Sequence, residues 1–192
     1  MNRRLSVTLL ISVFLAAISG CTSILEATND KPIELNPGKR TLGAIIDDEQ
    51  LETVAQVNIN KTDPALAQSH INTVAFNGII LLTGQVPSNQ LRIKAGETAK
   101  KIHGVRQVFN EIQVQGTTSF LSRTNDGWLT TKVKSTLVSH KDVASGRIKV
   151  VTEDGVVYLL GLLSQMEADK AAQVVSNIGG VQKVVKAVEY IQ

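Results

Sequence analysis

Residues 71–84 read INTVAFNGIILLTG, and residues 148–161 read IKVVTEDGVVYLLG. Each stretch consists of two apolar runs separated by Asn77-Gly78 or by Asp154-Gly155. These dipeptides favour a tight hairpin turn, because Asn, Asp and Gly adopt positive φ angles more readily than other residues. The sequence therefore predicts two antiparallel β-hairpins, one in each copy of an internal repeat.

The repeat extends to both sides of the hairpins at an offset of 76–78 residues. A helical stretch precedes each hairpin, with apolar residues four positions apart: Leu51, Ala55 and Ile59 in one copy, and Leu129, Val133 and Leu137 in the other. A second helical stretch follows and ends near Gly104 or Gly180, which favour a left-handed helix stop. A last apolar strand closes each copy, from Val108 to Val114 and from Val184 to Ile191. The predicted fold is α+β: two tandem domains, each αββαβ, with a three-stranded mixed sheet packed on two helices.

The middle strand of the second copy is apolar almost without interruption from Val156 to Leu160. A strand with one wet face would alternate between apolar and polar residues, so a continuous run indicates cover on both faces. We expect the helices to cover one face, and the other copy or its linker to cover part of the other.

The N-terminus has the pattern of a bacterial lipoprotein signal. Arg3 and Arg4 precede an apolar run over residues 5–18, and Ile18-Ser19-Gly20-Cys21 matches a lipobox. We predict that residues 1–20 are removed and that Cys21, the only cysteine, is the site of lipid attachment. The alternatives are an uncleaved anchor helix, or an ordinary secretory signal with an unrelated cysteine.

The residues that follow Cys21 suggest a destination and a domain plan. Thr22 and Ser23 differ from the aspartate typical of inner-membrane retention, which favours the outer membrane of a Gram-negative cell. The predicted plan, by residue number, is an acylated cysteine and flexible tether (21–46), a first domain (47–114), a linker (115–124) and a second domain (125–192).

Charge and motif content argue against two classes of function. Removal of Arg3 and Arg4 with the leader leaves 18 basic residues against 17 acidic ones, so no strong basic field indicates nucleic-acid binding. The three histidines are widely separated, the single cysteine has no second thiol, and no nucleophile elbow or phosphate loop is present. Acidic pairs such as Asp47-Asp48 and Glu153-Asp154 are interpreted as a helix start and a turn. We therefore predict neither catalysis nor a metal or cofactor.

With the lipobox and the duplication, several motifs resemble the BON domain family in its two-copy lipoprotein form. They are the two hairpin turns, the strand glycines Gly84 and Gly161, the pairs Gly104-Val105 and Gly180-Val181, and the block from Asn125 to Val133. The resemblance covers nearly all of the chain from about Gly43 onward.

This resemblance implies a non-enzymatic protein of the outer membrane, facing the periplasm, that supports envelope integrity. It also implies binding to anionic phospholipid, of the phosphatidylglycerol or cardiolipin class, through the first helix of the second copy. A connection with the division site and with the outer-membrane protein assembly machinery is implied as well.

The residues of that helix support a phospholipid site. At helical spacing, Trp128 lies away from the apolar stripe of Leu129, Val133 and Leu137. The proposed contact residues are Trp128, Thr131, Lys132, Lys134, Ser135 and Val138. An exposed tryptophan beside lysine suits a membrane interface, since the ring sits at headgroup level and the cation meets lipid phosphate.

Two alternatives stay open at this point. Trp128 could instead pack against the first copy or the tether, because tryptophan is usually largely buried. The chain could also be a protein-interaction module that docks on an envelope assembly complex, with no lipid role beyond its anchor. The first copy has Gln50 in place of Trp128, with Asp47, Asp48, Glu49 and Glu52 nearby, so we expect anionic lipid to repel that helix.

Overall fold

The computed structural model describes residues 38–116 and 120–191, without the side chains of residues 120–123. The predicted leader, Cys21 and most of the predicted tether lie outside these residues. The elements of the first domain are α1 (Leu42–Thr62), α2 (Pro64–Ala67), β1 (His70–Phe76), β2 (Ile79–Val86), α3 (Asn89–Lys100), β3 (Gln107–Asn110) and β4 (Gln113–Val114). Those of the second are α4 (Phe120–Ser139), a 3₁₀ turn (Ser145–Arg147), β5 (Ile148–Glu153), β6 (Val156–Leu163), α5 (Gln165–Ser176), β7 (Lys183–Lys186) and β8 (Glu189–Tyr190).

Both predicted hairpins are present, and both sheets are mixed. β1 pairs antiparallel with β2, and β5 with β6, while β3 and β7 run parallel to the middle strands. The turns have positive φ at both central residues, 51° and 75° at Asn77 and Gly78, and 50° and 73° at Asp154 and Gly155. The α+β prediction, with a three-stranded mixed sheet in each domain, is confirmed.

The third strand of each sheet is interrupted, which the sequence did not predict. β4 continues the edge begun by β3, because Leu82 lies opposite Asn110 and Gln85 opposite Gln113 with no change of register. Between them Ile112 is buried in the helix-side core, and its N–H donates to Asn110 Oδ1 at 3.4 Å. The Ile112 N–H is therefore not part of the hydrogen-bond ladder with β2. The third strand is interrupted at this point, but its register with β2 is the same on both sides.

The first helix of each copy begins earlier than predicted. α1 begins at Leu42, where the Thr41 hydroxyl accepts the Ala44 N–H at 3.1 Å, and α4 begins at Phe120. These helices therefore extend into the segments predicted as tether and linker. The interpretation of Asp47-Asp48 as a helix start is wrong, because Asp48 lies inside α1 with its side chain turned to the hairpin.

The second helices end earlier than the glycines suggested. Gly104 and Gly180 do have positive φ, at 89° and 104°. However, α3 ends at Lys100 and α5 at Ser176, so each glycine belongs to the turn that follows. The positive φ at these glycines was predicted correctly, but their position at the helix stop was not.

The two sheets pack against each other on the faces that the helices leave open. One apolar cluster contains residues of both domains: Val74, Phe76, Leu81, Val151, Val156, Tyr158, Leu160, Leu162 and Ala187. The expected cover of the second face by the other copy is therefore confirmed. The helices lie on the outside of the resulting unit, and none of those described has a stretch long and apolar enough to cross a bilayer.

Candidate lipid-binding surface on helix α4

The inner side of α4 is fixed by packing and by a buried carboxylate. Leu129, Val133 and Leu137 are 0–2% exposed and lie in the core of the second domain. Asp126, 6% exposed, accepts the Asp154 N–H at 2.7 Å and the Gly155 N–H at 2.9 Å. Because these contacts set the rotation of the helix about its axis, the opposite side must face outward.

Trp128 lies on that outward side and is 60% exposed. Within the described part of the chain, the first domain does not bury it. The Lys132 ammonium lies 5.0 Å from the centre of the Trp128 ring and also donates to the Gly179 carbonyl at 3.0 Å. A lysine ammonium has three donors, so Lys132 keeps free donors for a phosphate after these contacts. The Lys132 ammonium and the Trp128 ring thus lie side by side on the outer face of α4 in a cation–π contact.

Thr131 and Ser135 lie on the same side, but their hydroxyl protons are already engaged. Thr131 donates to the Gly127 carbonyl at 3.1 Å, and Ser135 donates to the Thr131 carbonyl at 3.0 Å. A hydroxyl has one proton to donate, so neither residue can donate to a lipid phosphate in this state. They contribute a polar strip beside Trp128.

Val138 and Lys134 lie further round the helix. Val138 is 72% exposed, which is a high value for an apolar side chain, and Lys134 is exposed as well. The structure therefore places Trp128, Thr131, Lys132 and Ser135 together. Lys134 turns instead toward a groove that also contains Arg147 and Lys149.

The corresponding surface of the first domain is an open groove of about 900 Å³. Gln50 and Val54 stand where α4 has Trp128 and Lys132, and Asp47 and Lys101 also line the groove.

Of the four acidic side chains expected on the surface of α1, two are exposed and unpaired in the described residues, and two are held in ion pairs. Asp47 and Glu49 are exposed, but Asp48 is 3% exposed and pairs with Arg40 at 2.5 Å. Glu52 pairs with Lys149 of the second domain at 2.6 Å. Asp48 and Glu52 are thus structural groups, a distinction that helical spacing alone did not reveal.

A cluster of basic residues was missed by the sequence analysis. Lys39, Arg40, Arg147 and Lys149 lie around the same groove as Lys134. The adjacent cations Lys39 and Arg40, just before α1, were the available sequence signal. Among the residues that the structure describes, no group of three or more potential ligands could hold a metal ion.

Comparison with known proteins gives a consistent result over nearly the whole chain. Residues 47–116 and 125–192 each match the family model of the BON domain. The chain is 35% identical over 189 residues to the outer membrane lipoprotein DolP of Haemophilus influenzae, covering 98% of this chain and 96% of that protein. It is 38% identical over 153 residues to a 21 kDa hemolysin of Actinobacillus pleuropneumoniae (80% and 79% covered). It is 25% identical over 189 residues to the osmotically-inducible protein Y of Escherichia coli (94% of each covered).

Proposed function

Because this chain belongs to the BON domain family and is a lipid-anchored outer-membrane lipoprotein of the DolP type that faces the periplasm, we propose that it binds anionic phospholipid through the outer face of α4. In this proposal the protein catalyses no reaction. The ligand is a phospholipid of the phosphatidylglycerol or cardiolipin class in the membrane that carries the anchor.

The observation that supports the proposal most strongly is the exposed pair of Trp128 and Lys132. The protein's only tryptophan is 60% exposed although its neighbour Leu129 is completely buried. Tryptophan favours the membrane–water interface, where its ring lies at headgroup depth. A lysine near an anionic surface contributes about 1 kcal/mol, so one helix binds weakly by itself. The acyl anchor compensates by keeping the helix at high local concentration near lipid.

Through this contact the protein supports outer-membrane integrity, with the division site and the outer-membrane protein assembly machinery as its places of action. This part of the proposal rests on family membership. Its test is sensitivity to large antibiotics in cells that produce the Trp128→Glu variant as their only copy. We expect these cells to be more sensitive than cells with the wild-type protein. Full protection by the variant would separate envelope integrity from lipid contact at Trp128.

Lipid binding can be measured on the mature chain with Cys21→Ser, which lacks the acyl anchor. Since Trp128 is the only tryptophan, intrinsic fluorescence reports on this site alone. We expect its emission to move to shorter wavelength with vesicles that contain phosphatidylglycerol, and to stay unchanged with phosphatidylcholine vesicles. Added salt should weaken the effect, because it screens the lysines.

Vesicle co-sedimentation then compares Trp128→Glu with a matched control, Met166→Glu. Met166 is 79% exposed on α5, so the control also replaces an exposed apolar side chain by an acid. We expect Trp128→Glu to abolish most of the binding and Met166→Glu to preserve it. Equal binding by Trp128→Glu and wild type would refute the site. No binding of the wild type to anionic vesicles would favour a protein-interaction module instead.

A further inference from the structure

A groove of about 410 Å³ lies between the segment that leads into α1 and the surface of the second domain. We call it the basic groove. Five cationic side chains line it: Lys39, Arg40, Lys134, Arg147 and Lys149. The segment lies close against the second domain, since a Cβ added at Gly38 would overlap the Arg147 guanidinium.

Three of these cations have acidic partners. Arg40 contacts Asp48 at 2.5 Å, Lys149 contacts Glu52 at 2.6 Å, and Arg147 forms an ion pair with Glu167. Lys39 and Lys134 have no ion pair within residues 38–116 and 120–191 and are exposed. The groove therefore has a positive excess of two charges that an anion could neutralise.

The acidic partners of these cations also accept backbone N–H groups. Asp48 accepts the Asn77 N–H at 2.7 Å and the Gly78 N–H at 2.9 Å. Glu52 accepts the Ala75 N–H at 2.8 Å, and Glu167 accepts the Ser164 N–H at 2.8 Å. A guanidinium has five N–H donors, and a single ion pair leaves several of them available to a phosphate.

The basic groove is not a consequence of the fold itself, because the first copy lacks it. At the positions that correspond to Lys134, Arg147 and Lys149, the first copy has Gln56, His70 and Asn72. The two copies share their strands and turns, yet only the second has three cations here. The cations are thus a property of the surface of the second copy.

We propose that the basic groove binds the phosphate of a phospholipid headgroup, as a second position beside the Trp128 face. The phosphate chemistry rests on the five cations. The choice of lipid as its source rests on the proposed function, since Lys134 belongs to the helix assigned to the membrane. Lys39 and Lys134 supply the uncompensated charge, and Arg147 supplies directed donors.

The test is an NMR titration of the ¹⁵N-labelled mature chain with Cys21→Ser, using short-chain phosphatidylglycerol or inorganic phosphate. We expect the lipid to shift the amide signals of Lys39, Gly146 and Ile148 at a lower concentration than phosphate does. Equal potency of inorganic phosphate would overturn the lipid assignment. The absence of shifts at these three amides with either probe would overturn the groove itself.

Two double variants complete the test. Lys39→Gln with Lys134→Gln should remove the groove shifts and weaken binding to phosphatidylglycerol vesicles roughly thirtyfold, at about 1 kcal/mol for each lysine. The control, Lys170→Gln with Lys183→Gln, removes the same charge at exposed positions and should change binding less than about twofold. Equal losses in both would show a net-charge effect and overturn the proposal.

The groove and the Trp128 face can fail separately. Trp128→Glu should preserve the groove shifts with short-chain lipid. If it preserves them and also preserves vesicle binding, the Trp128 site is wrong and the groove stands. If the shifts disappear with Trp128→Glu, the groove is not an independent site.

Discussion

The two copies of the domain share a buried carboxylate at the hairpin turn and differ on the outer faces of their first helices. Asp48 and Asp126 are both buried, and each accepts the two N–H groups of its hairpin turn at 2.7 and 2.9 Å. On the outside of the same helices, Gln50 corresponds to Trp128, and Val54 to Lys132. Hydrogen bonding and packing therefore constrain the framework that the copies share, whereas the exposed helix faces differ in sequence.

The contact between the copies is also unequal. Arg106 of the first domain forms an ion pair with Glu189 of the second, and Asn77 Nδ2 donates to Glu189 at 2.8 Å. At the reciprocal positions the chain has Gln113 and Gln182. Both domains contribute apolar residues to the interface between the sheets. The ion pair, in contrast, is present at only one of the two reciprocal pairs of positions.

The greatest loss of stability should come from a change at the interface between the copies. Leu160 is completely buried in the cluster that contains residues of both sheets. Leu160→Ala should lower the free energy of unfolding by about 3 kcal/mol, because it removes buried methyl groups and leaves a cavity. Urea unfolding should still show a single transition, since both domains share this cluster. Two transitions, with only the second domain weakened, would show that the copies are independent. The exposed control Val138→Ala should cost under about 0.5 kcal/mol.

The next prediction concerns the buried carboxylates that the two copies share. Asp126→Ala should cost about 2–3 kcal/mol, because two turn N–H groups, one buried and one partly buried, lose a charged acceptor. Asp48→Ala should have a cost of the same order in the first domain. Chemical denaturation of both variants, beside the exposed control Asp142→Ala, measures this comparison. A cost for Asp126→Ala as small as that for the control would mean that the turn does not depend on the carboxylate.

The hairpin turns and the buried helix faces are local features, and the sequence predicts them directly. The turns at Asn77-Gly78 and Asp154-Gly155 follow from backbone preferences of adjacent residues, and the buried face of α4 follows from helical spacing. The role of Asp126 was missed because its hydrogen-bond partner lies 28 residues away in sequence. Spacing along one helix contains no information about such a partner.

The same limit applies to the candidate site. The outward position of Trp128 followed from the position of its buried neighbours. The bond from Lys132 to the Gly179 carbonyl spans 47 residues, and the one from Lys149 to Glu52 spans 97 residues and joins two domains. The basic groove depends on contacts of this second kind, which is why the sequence did not predict it.

A smaller effect tests whether two side chains explain the difference between the helix faces. We start from the variant Trp128→Gln with Lys132→Val and add Gln50→Trp with Val54→Lys, which moves the pair to the first domain. Binding to phosphatidylglycerol vesicles should return partly and stay severalfold below wild type, because Asp47 and Glu49 are exposed on α1 and repel anionic lipid. Co-sedimentation measures binding, and fluorescence of the single remaining tryptophan locates it.

The repelling charges on α1 can be removed to test the transplanted pair further. Adding Asp47→Asn to the transplanted variant should raise binding further, since it removes one of the repelling charges. If the transplanted pair gives no binding even then, the divergence of the two faces involves more than Trp128 and Lys132.

The smallest effect concerns the polar link that exists only once. Hydrogen bonding from Arg106, assisted by Asn77, lowers the pKa of Glu189 below its usual value near 4.5. A carboxyl with a lowered pKa in the folded protein stabilises it above the unfolded pKa, and this contribution is lost as the pH falls through the folded pKa. Glu189→Gln should therefore cost under about 1 kcal/mol at pH 7, because Arg106 is half exposed, and this cost should shrink as the pH falls through the folded pKa of Glu189. Urea unfolding of both proteins between pH 3 and pH 7 (roughly the titration range of Glu) measures the difference.

The control Glu97→Gln, at an exposed position of α3, should change the free energy of unfolding by less than about 0.5 kcal/mol. A cost for Glu189→Gln that persists unchanged at the acid end would show that the carboxylate charge of Glu189 does not stabilise this contact between the copies.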